Sequence, residues 1–150
     1  MHLSFICTGN ICRSPMAALV VREHLHRAGL ADEVKVTSAG IGSWHVGDPA
    51  DSRARKTLAD HGYPTAHVAA QVGPEHLAAD LLLAMDAGHL RDLRGLVPTD
   101  KIRMFRSFDP AATGDLDVPD PYYGGIDGFQ IVLGMIEAAT PGLIDWVREH

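Results

Sequence analysis

The sequence predicts an α/β fold in which four parallel strands carry helices on both faces, and three observations point there. Short apolar segments alternate with longer helical patterns, the chain order that builds strand–helix–strand crossovers. A Gly-Asn turn leaves the end of the first apolar segment, where parallel sheets hold their ligands. With 46% hydrophobic and 21% charged residues, 150 residues suffice for one globular domain with a true core, expected to span 1–150.

The strands are expected at 2–7, 34–38, 81–85 and 101–105, where β-branched and other apolar residues cluster between turn formers. The first helix is expected over 14–28 and closes at Gly29, a glycine suited to a left-handed C-terminal cap. The second covers 52–61 and stops at Gly62; the third covers 87–96, ahead of Pro98. The last runs over 127–148, with Asp127 as its expected cap and Pro141 as a kink or break. The stretch 106–125, rich in Asp, Pro and Gly, is too long for an ordinary connection, and loops of that length usually carry function.

Composition excludes several classes. No apolar run approaches the roughly 20 residues of a membrane span, and no basic segment followed by an apolar one marks a secretory leader. The expected location is therefore the cytoplasm, with no membrane insertion. A net charge of −6 argues against nucleic-acid partners and acidic membranes, so any anionic substrate must be attracted locally. The two cysteines, Cys7 and Cys12, lie too close together to staple a fold. Nine histidines show no metal-binding spacing, so neither a metal nor another cofactor is expected.

The most informative segment is Cys7-Thr8-Gly9-Asn10-Ile11-Cys12-Arg13-Ser14-Pro15. Breaking a phosphate monoester without a metal needs an ionised nucleophile, donors for the equatorial oxygens and an acid for the leaving oxygen. Cys7 supplies a thiolate if positive surroundings and a helix N-terminus stabilise it. The N–H groups from Thr8 through Arg13 can curl into a nest, with Gly9 and Asn10 best able to take the positive φ this demands. Arg13 can bind two phosphate oxygens at once, which lysine cannot. Ser14 stands where a helix-capping hydroxyl belongs and can also donate to the Cys7 sulfur; Pro15 suits the first helical turn.

This string resembles the signature loop of the low-molecular-weight protein tyrosine phosphatases. The likeness continues through Thr37-Ser38-Ala39-Gly40, Gly47-Asp48-Pro49-Ala50-Asp51, His61-Gly62, His67, Met85-Asp86 and Asp120-Pro121-Tyr122-Tyr123-Gly124. The stretch around Trp44 and the run Arg106-Ser107-Phe108-Asp109-Pro110 are most similar to actinobacterial members. The resemblance implies a three-layer sandwich of the flavodoxin-like type with strand order 2-1-3-4. It implies that Cys7 forms a cysteinyl-phosphate, that Arg13 holds the transferring group, and that Asp120 acts as acid and then base. Asn10, Ser14, Ser38 and His67 would support the loop. Asp86 would orient Arg13 while also suiting a helix N-cap, and Ile11, Trp44, Tyr122 and Tyr123 would wall the pocket. Cys12 matches a second family cysteine, either a partner in a reversible disulfide that shields Cys7 or a packing residue. The implied partners are tyrosine-phosphorylated proteins, with phosphate as product and inhibitor and the chain acting as a monomer.

Gly128 departs from the acidic residue that members often carry before Phe129. Three alternatives accompany the main reading. Arsenate reductases sharing this loop use downstream cysteines, and none follows Cys12. Arginine phosphatases resembling the family carry threonine where Ile11 stands. A phosphate-binding module without turnover would lack the thiol or the acid, and both are present.

Overall fold

The structure, a computed structural model, describes residues 1–150. Strands β1 (His2–Cys7), β2 (Lys35–Gly40), β3 (Leu81–Ala84) and β4 (Ile102–Met104) are all parallel, in the order β2-β1-β3-β4. The helices are α1 (Arg13–Arg27), α2 (Ser52–Asp60), the single turn α3 (Pro74–Leu77), α4 (Ala87–Arg94) and α5 (Ile126–Glu149). Strand β1 is central: Leu3 pairs with Val36 on one side and Leu81 on the other, and Ile6 with Ala39 and Ala84.

Alternation along β1 explains the layers. Leu3, Phe5 and Cys7 join one apolar cluster with α1 and α5, while Ile6 joins Leu82, Ala84, Leu93 and Ile102 on the opposite face. Covered on both faces, β1 is buried from Leu3 to Cys7, with Ser4 the one polar residue in that run. Phe5 meets Phe105 edge to face, with ring centroids 5.3 Å apart. Glycines end α1 and α2 as expected: Gly29 and Gly62 take φ of 76° and 81°. The Leu30 and Tyr63 N–H groups then reach back to the Leu25 and Leu58 carbonyls, at 2.9 Å each.

Differences from the sequence expectations have local causes. Strand β2 extends past residue 38, because Ala39 and Gly40 keep pairing with Ile6 and Cys7. Pro141 does not break α5, which runs through it from Ile126 to Glu149. Phe129, Val132, Leu133 and Ile136 before the proline, and Leu143, Ile144 and Val147 after it, are buried on one stripe. Packing of that stripe on α1 and α2 outweighs the roughly 3 kcal/mol an interior proline costs. Asp127 is not the cap; the helix starts after Gly125 without a side-chain cap, and Asp127 lies in its first turn, where its charge suits the helix dipole. The turn α3 and the short 3-10 helices Thr99–Lys101 and Phe105–Phe108 were not expected.

Two glycines of α5 separate propensity from packing. A methyl group on Gly142 would meet the Phe108 carbonyl oxygen, whereas one on Gly134 would meet nothing within 4 Å. Gly134→Ala is expected to raise stability by up to about 1 kcal/mol through helix propensity. Gly142→Ala is expected to lower it by about 1–3 kcal/mol despite the same propensity gain. Urea denaturation of both variants checks this, and equal shifts would contradict the close approach.

Candidate active site

Between β1 and α1 the chain forms a loop in which every carbonyl from Cys7 to Cys12 except that of Gly9 accepts a hydrogen bond. Cys7 and Thr8 oxygens accept from the Ile41 and Gly42 amides at 2.9 and 3.0 Å, and the Ile11 oxygen from the Asp51 amide at 2.8 Å. The Asn10 oxygen accepts from His67 Nε2 at 2.7 Å, and the Cys12 oxygen from the Met16 amide at 3.1 Å. None of the N–H groups from Thr8 to Arg13 donates to another backbone group. A loop with engaged carbonyls and unengaged amides is an anion nest. Gly40 permits it: a methyl there would stand 2.8 Å from the Thr8 oxygen.

Asn10 is the one non-glycine residue with positive φ, at 60°, and it is fully buried. Its amide nitrogen donates to Ser14 Oγ at 2.8 Å and Ser38 Oγ at 3.0 Å, and its oxygen accepts from the Ala70 amide at 2.9 Å. Because Ser14 Oγ accepts from Asn10, its own hydrogen is free to point at Cys7 Sγ, 2.8 Å away. Helix α1 begins at Arg13 with Cys12 as N-cap and no side-chain cap. Ser14 is therefore not the capping residue: the sulfur and Asn10 hold its hydroxyl instead.

Arg13 is 4% exposed. Its Nη1 donates to Asp86 Oδ2 at 2.8 Å and to the Val118 oxygen at 3.0 Å, and its Nη2 donates to Thr8 Oγ1 at 3.3 Å. Three of the five guanidinium hydrogens are thus engaged by protein, leaving Nε–H and one Nη2–H for two oxygens of an anion. Asp86 serves both expected roles, since its Oδ1 also caps α4 by accepting the His89 amide at 3.0 Å.

Asp120 sits on the long loop, 39% exposed, with Oδ2 3.7 Å from Arg13 Nη2 and Oδ1 accepting the Tyr122 amide at 3.0 Å. Cys7, Thr8, Gly9, Ile11, Cys12, Arg13, Trp44, Asp120, Tyr122 and Tyr123 line one cavity of about 420 Å³. Asn10, Ser14, Ser38, His67 and Asp86 stand behind that lining and hold it through the bonds given above. The arrangement presents a nucleophile, an anion nest, a bidentate cation and an acid around one space with aromatic sides. It suits transfer of a phosphoryl group from an aryl ester.

Three functional neighbours escaped the sequence. His45 lines the cavity. His89 Nε2 lies 2.9 Å from Thr8 Oγ1. Arg53 grips Asp51 and donates to the Gly124 and Tyr122 oxygens at 2.7 and 3.0 Å, with its guanidinium over the Phe129 ring at 4.6 Å. The only available signal for Arg53 was its position two residues after the Asp51 cap.

Comparison with known proteins gives a consistent picture. The family model of the low molecular weight phosphotyrosine protein phosphatases matches residues 2–150. Low molecular weight protein-tyrosine phosphatase A of Mycobacterium tuberculosis is 58% identical over 152 residues, covering 100% of this chain and 93% of the relative. The crystal structure of a protein tyrosine phosphatase from Entamoeba histolytica superposes with a TM-score of 0.94 at 35% identity, covering 99% and 97% of the two chains. A Drosophila arginine phosphatase superposes with a TM-score of 0.89 at 30% identity, covering 98% of each.

Burial sets the electrostatics around the loop. It pushes the Cys12 thiol up to about 12, so Cys12 stays protonated at neutral pH. It lowers His67, His76 and His89 below the ordinary imidazole value of 6.5, His89 to about 4. Burial would raise Asp51 and Asp86, but hydrogen bonds and charge from Arg53, and from His89 and Arg13, hold both below the ordinary carboxylate range. The signs agree. The unfolded histidines take up protons near 6.5 while the folded ones resist, so their stabilisation is complete above 6.5 and falls as pH drops towards the folded values. The aspartates add losses only at lower pH, as acid titrates them through their depressed values. The melting temperature is expected to be lower at pH 5 than at pH 7, with the decline starting near 6.5. An unchanged melting temperature over that interval would contradict the buried, neutral histidines.

Proposed function

The chain belongs to the low molecular weight phosphotyrosine protein phosphatase family, and from that premise we propose that it hydrolyses phosphotyrosine in proteins through Cys7, Arg13 and Asp120. The observation that carries the reading is the convergence of these three groups on one cavity walled by Trp44, Tyr122 and Tyr123. Cys7 Sγ attacks phosphorus while the bond to the tyrosyl oxygen breaks, and Asp120 gives that oxygen its proton. The loop amides and Arg13 carry the charge of the three equatorial oxygens. Asp120, now a carboxylate, takes a proton from water as the water attacks the cysteinyl-phosphate. Inorganic phosphate leaves, and the thiolate returns to the Ser14 hydroxyl.

Aromatic walls favour an aryl ester over a phosphoserine, whose short side chain would not reach between them. Ile11, 9% exposed at the cavity edge, favours tyrosine over phosphoarginine because it offers no hydroxyl to a guanidinium. Free thiols at Cys7 and Cys12 suit the reducing cytoplasm. No helix is long and apolar enough to cross a membrane.

Cys7→Ser is expected to abolish phosphate release from a phosphotyrosine peptide while keeping the fold, as read by circular dichroism. Phosphate release at the wild-type rate by this variant would remove Cys7 as nucleophile. Asp120→Ala is expected to slow phenyl phosphate hydrolysis by roughly 10²–10⁴-fold. The same change should slow p-nitrophenyl phosphate, with its better leaving group, far less. Equal slowing of both substrates would remove Asp120 as the acid.

A further inference from the structure

His89 lies behind Arg13 with a side chain 5% exposed, and the mechanism above gives it no task. Its Nε2 is 2.9 Å from Thr8 Oγ1, and its Nδ1 is 3.2 Å from Asp86 Oδ1. Asp86 Oδ2 accepts from Arg13 Nη1 at 2.8 Å, and Arg13 Nη2 reaches Thr8 Oγ1 at 3.3 Å. The four side chains therefore form a closed ring. We propose that His89 is a positioning residue for the phosphatase reaction: through Thr8 it locks the Arg13 guanidinium against rotation about its Asp86 contact. This inference rests on the phosphatase reading above.

The Asp86 carboxylate selects the proton placement around the ring. With Asp86 Oδ1 3.2 Å from Nδ1, the imidazole proton is favoured on Nδ1, because a lone pair there would face a carboxylate oxygen. Nε2 then carries the lone pair and accepts the Thr8 hydroxyl hydrogen, while Thr8 Oγ1 accepts from Arg13, whose guanidinium only donates. The approach of Nδ1 to Asp86 Oδ1 is too bent for a formed hydrogen bond, so the attraction there is mainly electrostatic. The groups facing the ring are Asp86 and Asp92 of α4, Arg13 of α1 and Asp120 of the long loop. Burial outweighs the acidic neighbours and keeps the imidazole neutral, the state in which Nε2 can accept.

The mechanical consequence follows from the donor count. Both Nη1 hydrogens are held, by Asp86 and the Val118 oxygen, and that edge alone would act as a pivot. The Thr8 contact at Nη2 removes the pivot, and a threonine hydroxyl fixed by His89 cannot rotate away. The two remaining donors then stay aimed at the nest. Orientation of this kind affects binding of the phosphoryl group whichever oxygen departs.

His89→Ala is expected to lower kcat/KM roughly tenfold for phenyl phosphate and for p-nitrophenyl phosphate alike. Affinity for inorganic phosphate, measured by calorimetry, should fall by a similar factor. Thr8→Val should reproduce both losses, and Thr8→Val/His89→Ala should be no worse than either single change. His89→Gln, whose amide oxygen can replace the Nε2 acceptor, should restore most of the loss, as should Thr8→Ser at its own position. Additive losses in the double variant, failure of His89→Gln to restore, or unchanged kinetics and phosphate affinity in His89→Ala would each overturn the proposal. If His89→Ala does not fold, Thr8→Val and His89→Gln decide the matter alone. Phosphate affinity is independent of turnover, so a wild-type chain that binds phosphate without hydrolysing aryl esters would sink the phosphatase reading and leave the ring to be judged by calorimetry.

Discussion

Asn10 carries the backbone reversal on which the catalytic loop depends. A left-handed conformation costs a non-glycine residue about 1–2 kcal/mol, and here it occurs at a fully buried position with φ of 60°. It persists because the residue is over-determined: the side chain holds Ser14, Ser38 and the Ala70 amide, and the main-chain oxygen is held by His67. The reversal turns consecutive N–H groups to one side, which makes an anion site out of ordinary peptide units. The same bonds decide where Ser14 can send its hydrogen. Loop shape, the Ser14 contact to the Cys7 sulfur and the start of α1 therefore share one set of bonds, and loss of any of these partners acts on all three.

Sequence-level reasoning reached part of this. The segment from Cys7 to Pro15 is local, so its candidate donors can be read from spacing alone, and the structure keeps them together; of the two expected turn residues Asn10 takes a positive φ and Gly9 does not, because the single reversal at Asn10 suffices. The strands and the glycine-closed helices were legible for the same reason, because burial on both faces and left-handed caps leave compositional marks. Ser38 and His67 lie 28 and 57 residues from Asn10. No local pattern links them, and only the resemblance to a family pointed there. Ser14 shows the limit from the other side. Its sequence position suggested a helix cap, but it lies inside the first turn of α1, where the Cys7 sulfur and the Asn10 amide take its hydroxyl. Pro141 is similar: a rule about local backbone was overridden by a long apolar stripe that had somewhere to pack.

His89 was invisible for a different reason. It reads as one of nine histidines on a helix of mixed polarity, and its meaning comes from Thr8, 81 residues away across the sheet. Thr8 in turn looks like a small polar residue in a loop until the donor count on Arg13 is made. The pair becomes informative only when strand order β2-β1-β3-β4 brings the ends of β1 and β3 side by side. A parallel sheet gathers residues from the carboxyl ends of adjacent strands whatever their separation in sequence. Polar side chains at those ends are therefore the ones whose roles need the fold to be seen.

The placement of Asp120 completes this logic. The segment between the 3-10 helix Phe105–Phe108 and α5 has no regular structure, yet the acid it carries must meet a bound ester within hydrogen-bond reach. Three arginines from separate elements hold it: Arg13 at the Val118 oxygen, Arg53 at Tyr122 and Gly124, and Arg106 at Asp115 and Asp117. The Val118 amide adds a bond to the Met85 oxygen at 2.7 Å, and Asp117 accepts the Ala87 amide at 2.8 Å. The arginine hydrogen bonds to this segment all end on main-chain carbonyls. A carbonyl is present whatever the side chain, so these attachments leave little trace in the composition of the loop. The segment reads as an irregular linker while its backbone is pinned at both flanks of Asp120. Arg13 belongs to both systems, binding the loop that carries the acid and presenting donors to the phosphoryl group. The nest and the loop that carries the acid thus share one guanidinium, the group that Asp86 and Thr8 contact from behind.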